Sequence, residues 1–181
     1  GKAREKSKMA VCKSNMKQIY TMIFMYTDDN DGYFPNYETN ISWDDKLSDY
    51  DGRNMSDAQK INGAVRPFYG YNPVIYACPS DDLQRLWGTD TTVYTRSYSL
   101  SGYRPDKAWS PGIAGDPNSR NMTQIKSPSN TLIMVELSHE TNMVGHSSLS
   151  SVNPESYMTE ADYLMPHKGL FGANYLMADG S

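Results

Sequence analysis

From Lys2 to about Asp29 the chain holds neither proline nor glycine, the two residues that most often interrupt a helix. Within this stretch Met9, Cys12, Met16, Ile19, Ile23 and Tyr26 recur at intervals of three, four, three, four and three. That spacing sets all six on one helical stripe. Val11, Tyr20, Met22, Phe24 and Met25 broaden the stripe in its second half, whereas the first half is polar nearly all round. The pattern predicts one helix of about 28 residues, roughly 42 Å long. Its C-terminal half should pack on a domain. Its N-terminal half, from Lys2 to about Ala10, should project or fray, because Met9 alone gives it too little apolar surface to dock. Gly1-Lys2-Ala3-Arg4 opens with no N-cap residue and no start Met. It reads as a cut through a helix rather than a natural beginning.

The helix should stop at Thr27-Asp28-Asp29-Asn30-Asp31-Gly32-Tyr33-Phe34-Pro35. Gly32 suits the left-handed position after a helix, and Pro35 prevents resumption. Three carboxylates are out of place there, since a helix C-terminus carries partial negative charge and prefers cations. Read as a calcium loop, Asp29, Asp31, Gly32 and Glu38 fall at the third, fifth, sixth and twelfth positions, but Thr27 stands at the first. Asp28, Asp29 and Asp31 are therefore the candidate metal residues, with calcium the candidate ion. A solvated turn is the other reading.

From Pro35 on the composition changes. All ten prolines lie here, with turn dipeptides such as Asp51-Gly52, Asn62-Gly63, Asn72-Pro73, Ser101-Gly102 and Asp116-Pro117. Between them lie strand candidates at 74–78, 92–100, 131–137 and 173–178. The run Thr131-Leu132-Ile133-Met134-Val135-Glu136-Leu137 is nearly continuously apolar and should be a central strand. Residues 42–50 suggest a short helix with Trp43 and Leu47 inward. Residues 103–124 and 138–166 read as long polar excursions of the kind that carry function or face partners. A long helix followed by short strands argues for an α+β fold with an antiparallel sheet and long loops. We divide the chain into a helix over 1–32, exposed and then packed, and a globular head over 33–181, together one structural domain.

Net charge is −4, which gives no global sign of nucleic-acid binding. Residues 1–17, however, hold Lys2, Arg4, Lys6, Lys8, Lys13 and Lys17 against Glu5 alone, a local +5. The remainder carries 11 basic and 20 acidic side chains, a net −9. A basic arm meeting an acidic partner and a solvated helix face both fit this asymmetry. No apolar run reaches the roughly 18 residues of a membrane span, and no signal peptide is visible.

Cys12 lies on the helix stripe and Cys78 at a strand end before Pro79; neither belongs to a CxxC pair. We expect a disulfide stapling helix to sheet, worth roughly 4 kcal/mol in the chain-entropy view and implying an oxidising compartment. Two buried free thiols are the alternative. For catalysis the candidates are His139, His146 and His167 with Glu136, Glu140 and Asp179, but no GxSxG elbow, HExxH or Walker loop accompanies them. We expect no enzyme. In the closing stretch HKGLFGANYLMADGS, Gly169 and Gly172 permit a turn into an interior strand and Asp179-Gly180 a turn out of it. His167 and Asp179 then read as punctuation around that strand rather than as a catalytic pair.

Several of these stretches together resemble pilin-like proteins that carry a prepilin-type cleavage and methylation segment, of the type II secretion pseudopilin G-like kind. They are Lys2–Lys6, Cys12 with Ser14-Asn15 and Lys17-Gln18, and Met25–Pro35. Further on they are Cys78–Asp81, Ser97-Tyr98 with Gly102-Tyr103, Ile125 with Pro128–Leu132, and His167 to Gly180. Ser181 stands where such proteins usually place His. The resemblance implies a non-enzymatic pseudopilin or pilin-like subunit of a type II secretion or type IV pilus-like filament. It implies an apolar helix ahead of Gly1, cleaved by a prepilin peptidase, anchored in the inner membrane and missing here. A periplasmic head, or an extracellular filament, follows. No cofactor is required, though some relatives bind calcium. Partners would be other pilin-like subunits and the secretion machinery, with Lys2, Arg4, Lys6 and Lys8 meeting acidic heads during assembly. The alternative is a stand-alone periplasmic or surface module in which residues 138–166 grip a glycan or a cation.

Overall fold

The computed structural model describes residues 1–38, 40–61, 73–105, 112–115, 118–147, 151–153, 166–167 and 173–181. Helix α1 covers Lys2–Asp29 without a break, and two one-turn helices follow, α2 at Trp43–Lys46 and α3 at Asp57–Lys60. Four short strands, β1 (Tyr98–Ser101), β2 (Leu132–Glu136), β3 (Ser151–Val152) and β4 (Tyr175–Met177), form one sheet in the order β3-β1-β2-β4. The fold is α+β, with a long N-terminal helix against a four-stranded sheet and long loops.

The apolar stripe of α1 packs as its spacing requires. Cys12, Met16, Ile19, Met22 and Ile23 are buried and share one core with Phe34, Trp43, Leu47, Tyr76, Tyr98, Leu100, Ile133, Met134 and Leu176. Polar contacts fix the helix along its length. Asn15 Nδ2 donates to the carbonyl of Ala77 at 3.1 Å, and Tyr20 Oη to the carbonyl of Ala178 at 3.2 Å. The helix ends at Asn30, followed by Asp31 and Gly32 at φ 52° and 80°. Two successive left-handed residues turn the chain, and glycine carries the larger angle without a Cβ penalty.

Strand β2 is central, as its apolar run predicts, and pairs antiparallel with both β1 and β4. Several expectations need correction. The sheet is mixed rather than antiparallel, because β3 adds to β1 in parallel. The C-terminal strand lies at the edge of the described sheet, beside β2 only. The strand proposed at 74–78 is a 3₁₀ turn, Val74–Tyr76, held by the Tyr76 N–H on the Pro73 carbonyl at 3.1 Å. Pro73 and Pro79 bracket it and deny it ladder donors. The candidate at 92–100 yields strand only from Tyr98, because Arg96 turns inward to an ionic network instead of extending the ladder. The expected helix at 42–50 shortens to α2, with Trp43 and Leu47 inward. The turns expected at Asn62-Gly63, Asp116-Pro117 and Gly169–Gly172 lie outside the described residues, as does much of 138–166.

Candidate functional site

Two faces of α1 do different work. Opposite the buried stripe, Val11, Ser14, Gln18, Thr21, Met25 and Asp28 recur at the same three-four spacing and all are exposed. Val11 and Met25 are 45% and 50% accessible, high for large apolar side chains. A groove of about 690 Å³ runs alongside, lined by Thr21, Met22, Met25, Tyr50, Val74 and Ile75. No residue before Cys12 is buried, so Lys2, Arg4 and Lys6 all reach solvent. The free half is nonetheless attached at one point that the apolar pattern does not foretell. Glu5 accepts the Ser80 hydroxyl at 2.9 Å and pairs with Lys8 at 3.2 Å. Ser80, and then Lys8, hold the Glu5 carboxyl below its ordinary value. Lys8 thus has an intrachain partner, unlike the picture of a bare assembly charge.

Where the buried stripe begins, Cys12 and Cys78 form a disulfide, with their Cα atoms 5.1 Å apart. The bond joins the helix to the segment just before Ser80, so Glu5–Ser80 and Cys12–Cys78 clamp the same two elements. Packed against the sulfurs is a buried polar group. His167 Nε2 lies 3.7 Å from Cys78 Sγ and 3.3 Å from Glu136 Oε1. Asn174 donates to both Glu136 oxygens, from its backbone N–H at 2.7 Å and its side chain at 2.9 Å. His167 and Glu136 are wholly buried. His167 is therefore a core residue that ties the chain to β2 and the start of β4, not punctuation. One signal in the sequence was Glu136 itself, a carboxylate inside an otherwise apolar central strand that must find buried partners.

A second buried polar network joins α2 to the loop before β1. Asp44 accepts from Ser42 Oγ and Arg96 Nη1 at 2.5 Å each, and from the Gly145 N–H at 2.8 Å. Arg53 stands 3.5 Å from its other oxygen and donates to its backbone carbonyl. Nearby, Arg85 bridges to Asp81 at 2.5 Å, and Asp81 also accepts from Ser97 and Ser138. These lone charges sit in turn-rich segments without period, which is why sequence reasoning missed them. Each joins segments distant in sequence, and together they brace the loops.

The acidic turn gains local partners. Asp29 accepts the Tyr50 hydroxyl at 2.8 Å, and burial together with that carboxylate pushes the Tyr50 phenol up to about 12. Asp28 is exposed, and Asp31 holds Asn121 through its backbone carbonyl rather than its side chain. Glu38, at the twelfth position of the calcium pattern, pairs with Lys46 at 2.6 Å. His139 Nδ1 meets the Thr141 hydroxyl at 3.0 Å, and His146 sits edge-on to Trp87 at 4.4 Å. Asp179 accepts the Ser181 N–H at 3.0 Å. His139, His146 and His167 thus occupy separate environments. No helix among the described residues is long and apolar enough to cross a membrane.

No protein-family model, no curated protein and no solved structure matches this chain.

Proposed function

We propose that this chain is the head and outer helix of a non-enzymatic pilin-like subunit that assembles, through α1, into a type II secretion or type IV pilus-like filament. The observation that carries the reading is the double character of α1. One stripe is buried in and covalently tied to the head, while the opposite stripe, Val11 to Asp28, stays exposed over about five turns beside a groove that Met22, Met25, Val74 and Ile75 help to line. Val11 and Met25 stand in water on that stripe, one near each end. A helix that also packs against neighbouring helices needs such a ridge and groove. The basic side chains Lys2, Arg4 and Lys6 would meet the acidic heads of adjacent subunits in a non-closing, head-to-tail contact. In this reading an apolar segment ahead of Gly1 holds the subunit in the inner membrane before assembly, with the head in the periplasm.

The test is photo-crosslinking of the full-length protein in membranes, with the reactive residue placed at Val11, Gln18 or Met25 and, as control, at Asp57. The expected result is subunit–subunit crosslinks from the three helix positions and none from Asp57. Full-length subunits that never crosslink to one another would overturn the reading in favour of a solitary envelope module that binds a glycan or a cation.

A further inference from the structure

Among the described residues, one group of metal-ligand atoms converges in the interior: the sulfurs of Cys12 and Cys78, a carboxylate oxygen of Glu136 and a ring nitrogen of His167, all within 4.8 Å of one another and all from buried residues. We propose that, when the disulfide is reduced, these four side chains hold one zinc ion.

Two edges of the cluster match those of tetrahedral zinc, and the covalent S–S bond is the edge that does not. With Zn–N and Zn–O near 2.0–2.1 Å and Zn–S near 2.3 Å, a tetrahedron sets its N···O edge at about 3.3 Å, its S···N edge at about 3.6 Å and its S···S edge at about 3.8 Å. The observed Nε2···Oε1 and Nε2···Sγ separations are 3.3 Å and 3.7 Å. Two of the six edges are in place, the remaining ligand atoms lie within 4.8 Å of one another, and the sulfurs must part, which requires breaking their bond. The chemistry balances. A two-electron reductant such as a dithiol is oxidised to its own disulfide and leaves two thiols at Cys12 and Cys78. Zinc then displaces two protons from those thiols and is bound by two thiolates, one imidazole and one carboxylate. Two buried thiols beside Glu136 otherwise gain nothing from this position, whereas a divalent ion offsets the clustered negative charge.

A second observation points to the same ligand. His167 Nδ1 is buried and has no hydrogen-bond partner among the described residues. Glu5 Oε2 lies 3.9 Å from it, and Glu5 is itself positioned by Ser80. When Nε2 donates its proton to Glu136, Nδ1 presents a bare lone pair toward that carboxylate. When Nε2 binds zinc, the ring proton moves to Nδ1 and faces Glu5, the carboxylate–histidine–zinc relay that orients and strengthens metal-bound imidazoles. Asn174, donating to both oxygens of Glu136, would hold the carboxylate for a single inward-facing ligand atom. The disulfide and the zinc form are then two alternative staples for the same junction of α1 and the head.

The test uses the whole chain, reduced with dithiothreitol, desalted without oxygen and titrated with cobalt(II), then with zinc. Expected are the visible bands of tetrahedral cobalt with a thiolate charge-transfer band, saturating at one equivalent, bleached by zinc, and lacking in the oxidised protein. Zinc should also raise the Tm of the reduced chain. His167→Ala should weaken cobalt binding at least tenfold, and Glu5→Gln by about tenfold through the lost relay. Reduced protein that gives no tetrahedral spectrum, folded or not, overturns the proposal. So does binding of equal strength in the oxidised protein. If His167→Ala fails to fold, as judged by circular dichroism of its oxidised form, Glu5→Gln decides, and unchanged affinity there overturns the proposal.

Discussion

Asp44 and Asp45 are neighbours in α2, both wholly buried, and their acidities move in opposite directions. Burial raises both. For Asp44 the guanidiniums of Arg96 and Arg53 outweigh burial and bring the carboxyl below its ordinary value. For Asp45 burial is reinforced by the charge of Asp44, and its carboxyl rises well above the ordinary range. One oxygen of Asp45 accepts the Ser42 N–H at 2.9 Å, and the other has no hydrogen-bond partner among the described residues.

The two positions should therefore respond differently to amidation. Asp44→Asn removes the buried carboxylate that Arg96 Nη1 meets at 2.5 Å, while Arg53 keeps Asp51 at 2.7 Å, and it should destabilise the protein by about 3–5 kcal/mol at neutral pH. Asp45→Asn resembles the protonated acid and should stay within about 1 kcal/mol of the parent at pH 5. The signs follow from linkage. The raised Asp45 carboxyl stabilises the fold below its unfolded value, and that contribution is lost as pH rises through its folded value, so the Asp45→Asn variant should gain on the parent between pH 5 and pH 8. Urea melts of both variants at the two pH values check this, and equal losses at the two sites would refute the division of roles.

His146 gives a separate acid-side prediction. Burial, and then the charge of Arg96, lower its pKa below the ordinary value, while the charge of Asp44 opposes them. A His lowered in the fold binds fewer protons than in the unfolded chain, so its contribution is complete above about pH 6.5 and declines as pH falls. Replacing it with Gln should flatten the Tm profile between pH 7 and pH 5. A profile that drops as steeply in His146→Gln would assign the acid sensitivity elsewhere.

The disulfide should account for a large part of head stability. It closes a loop with a sequence separation of 66. The paired change Cys12→Ser, Cys78→Ser should cost about 4 kcal/mol in denaturant melts. Thiol titration of the unfolded, unreduced protein should find no reactive group. Two reactive thiols in protein from an oxidising compartment would contradict the assignment.

Charge reversal at Lys6 and Lys8 separates folding from assembly. Lys6 is exposed and Lys8 pairs with Glu5 on the same helix, so the isolated chain should keep its Tm within about 2 °C. Crosslinking of full-length subunits should fall. A head that unfolds on reversal would place these lysines in the fold rather than in the filament contact.

The sequence was most legible where periodicity was long. α1 could be drawn to the residue because 28 positions repeat one interval and Gly32 ends them. β2 followed from a continuous apolar run. The strand at 74–78 was misread because flanking prolines matter more than a short apolar triplet. The two-residue β3 left no pattern to read. The buried centre was half legible. Cys12 and Cys78 were pairable from the stripe and the strand end, but His167 joins them across a separation of 89 residues from Cys78, which no local spacing encodes. Arg96 was hidden for the same reason, since it finds Asp44 across a separation of 52, whereas Arg85 and Arg53 meet Asp81 and Asp51 close by in segments that carry no period.

The position of the disulfide also determines what tension would reach. Force entering at Gly1 and leaving through the last residue passes along eleven residues of α1, crosses the Cys12–Cys78 bond and continues from Cys78. The packed part of α1, the acidic turn, α2 and α3 lie off that line and bear no load. Roughly 220 Å of extended chain is thereby held in reserve, and only reduction of one bond releases it. Stretching a single molecule from its ends should show that length as one step after reduction, and not before.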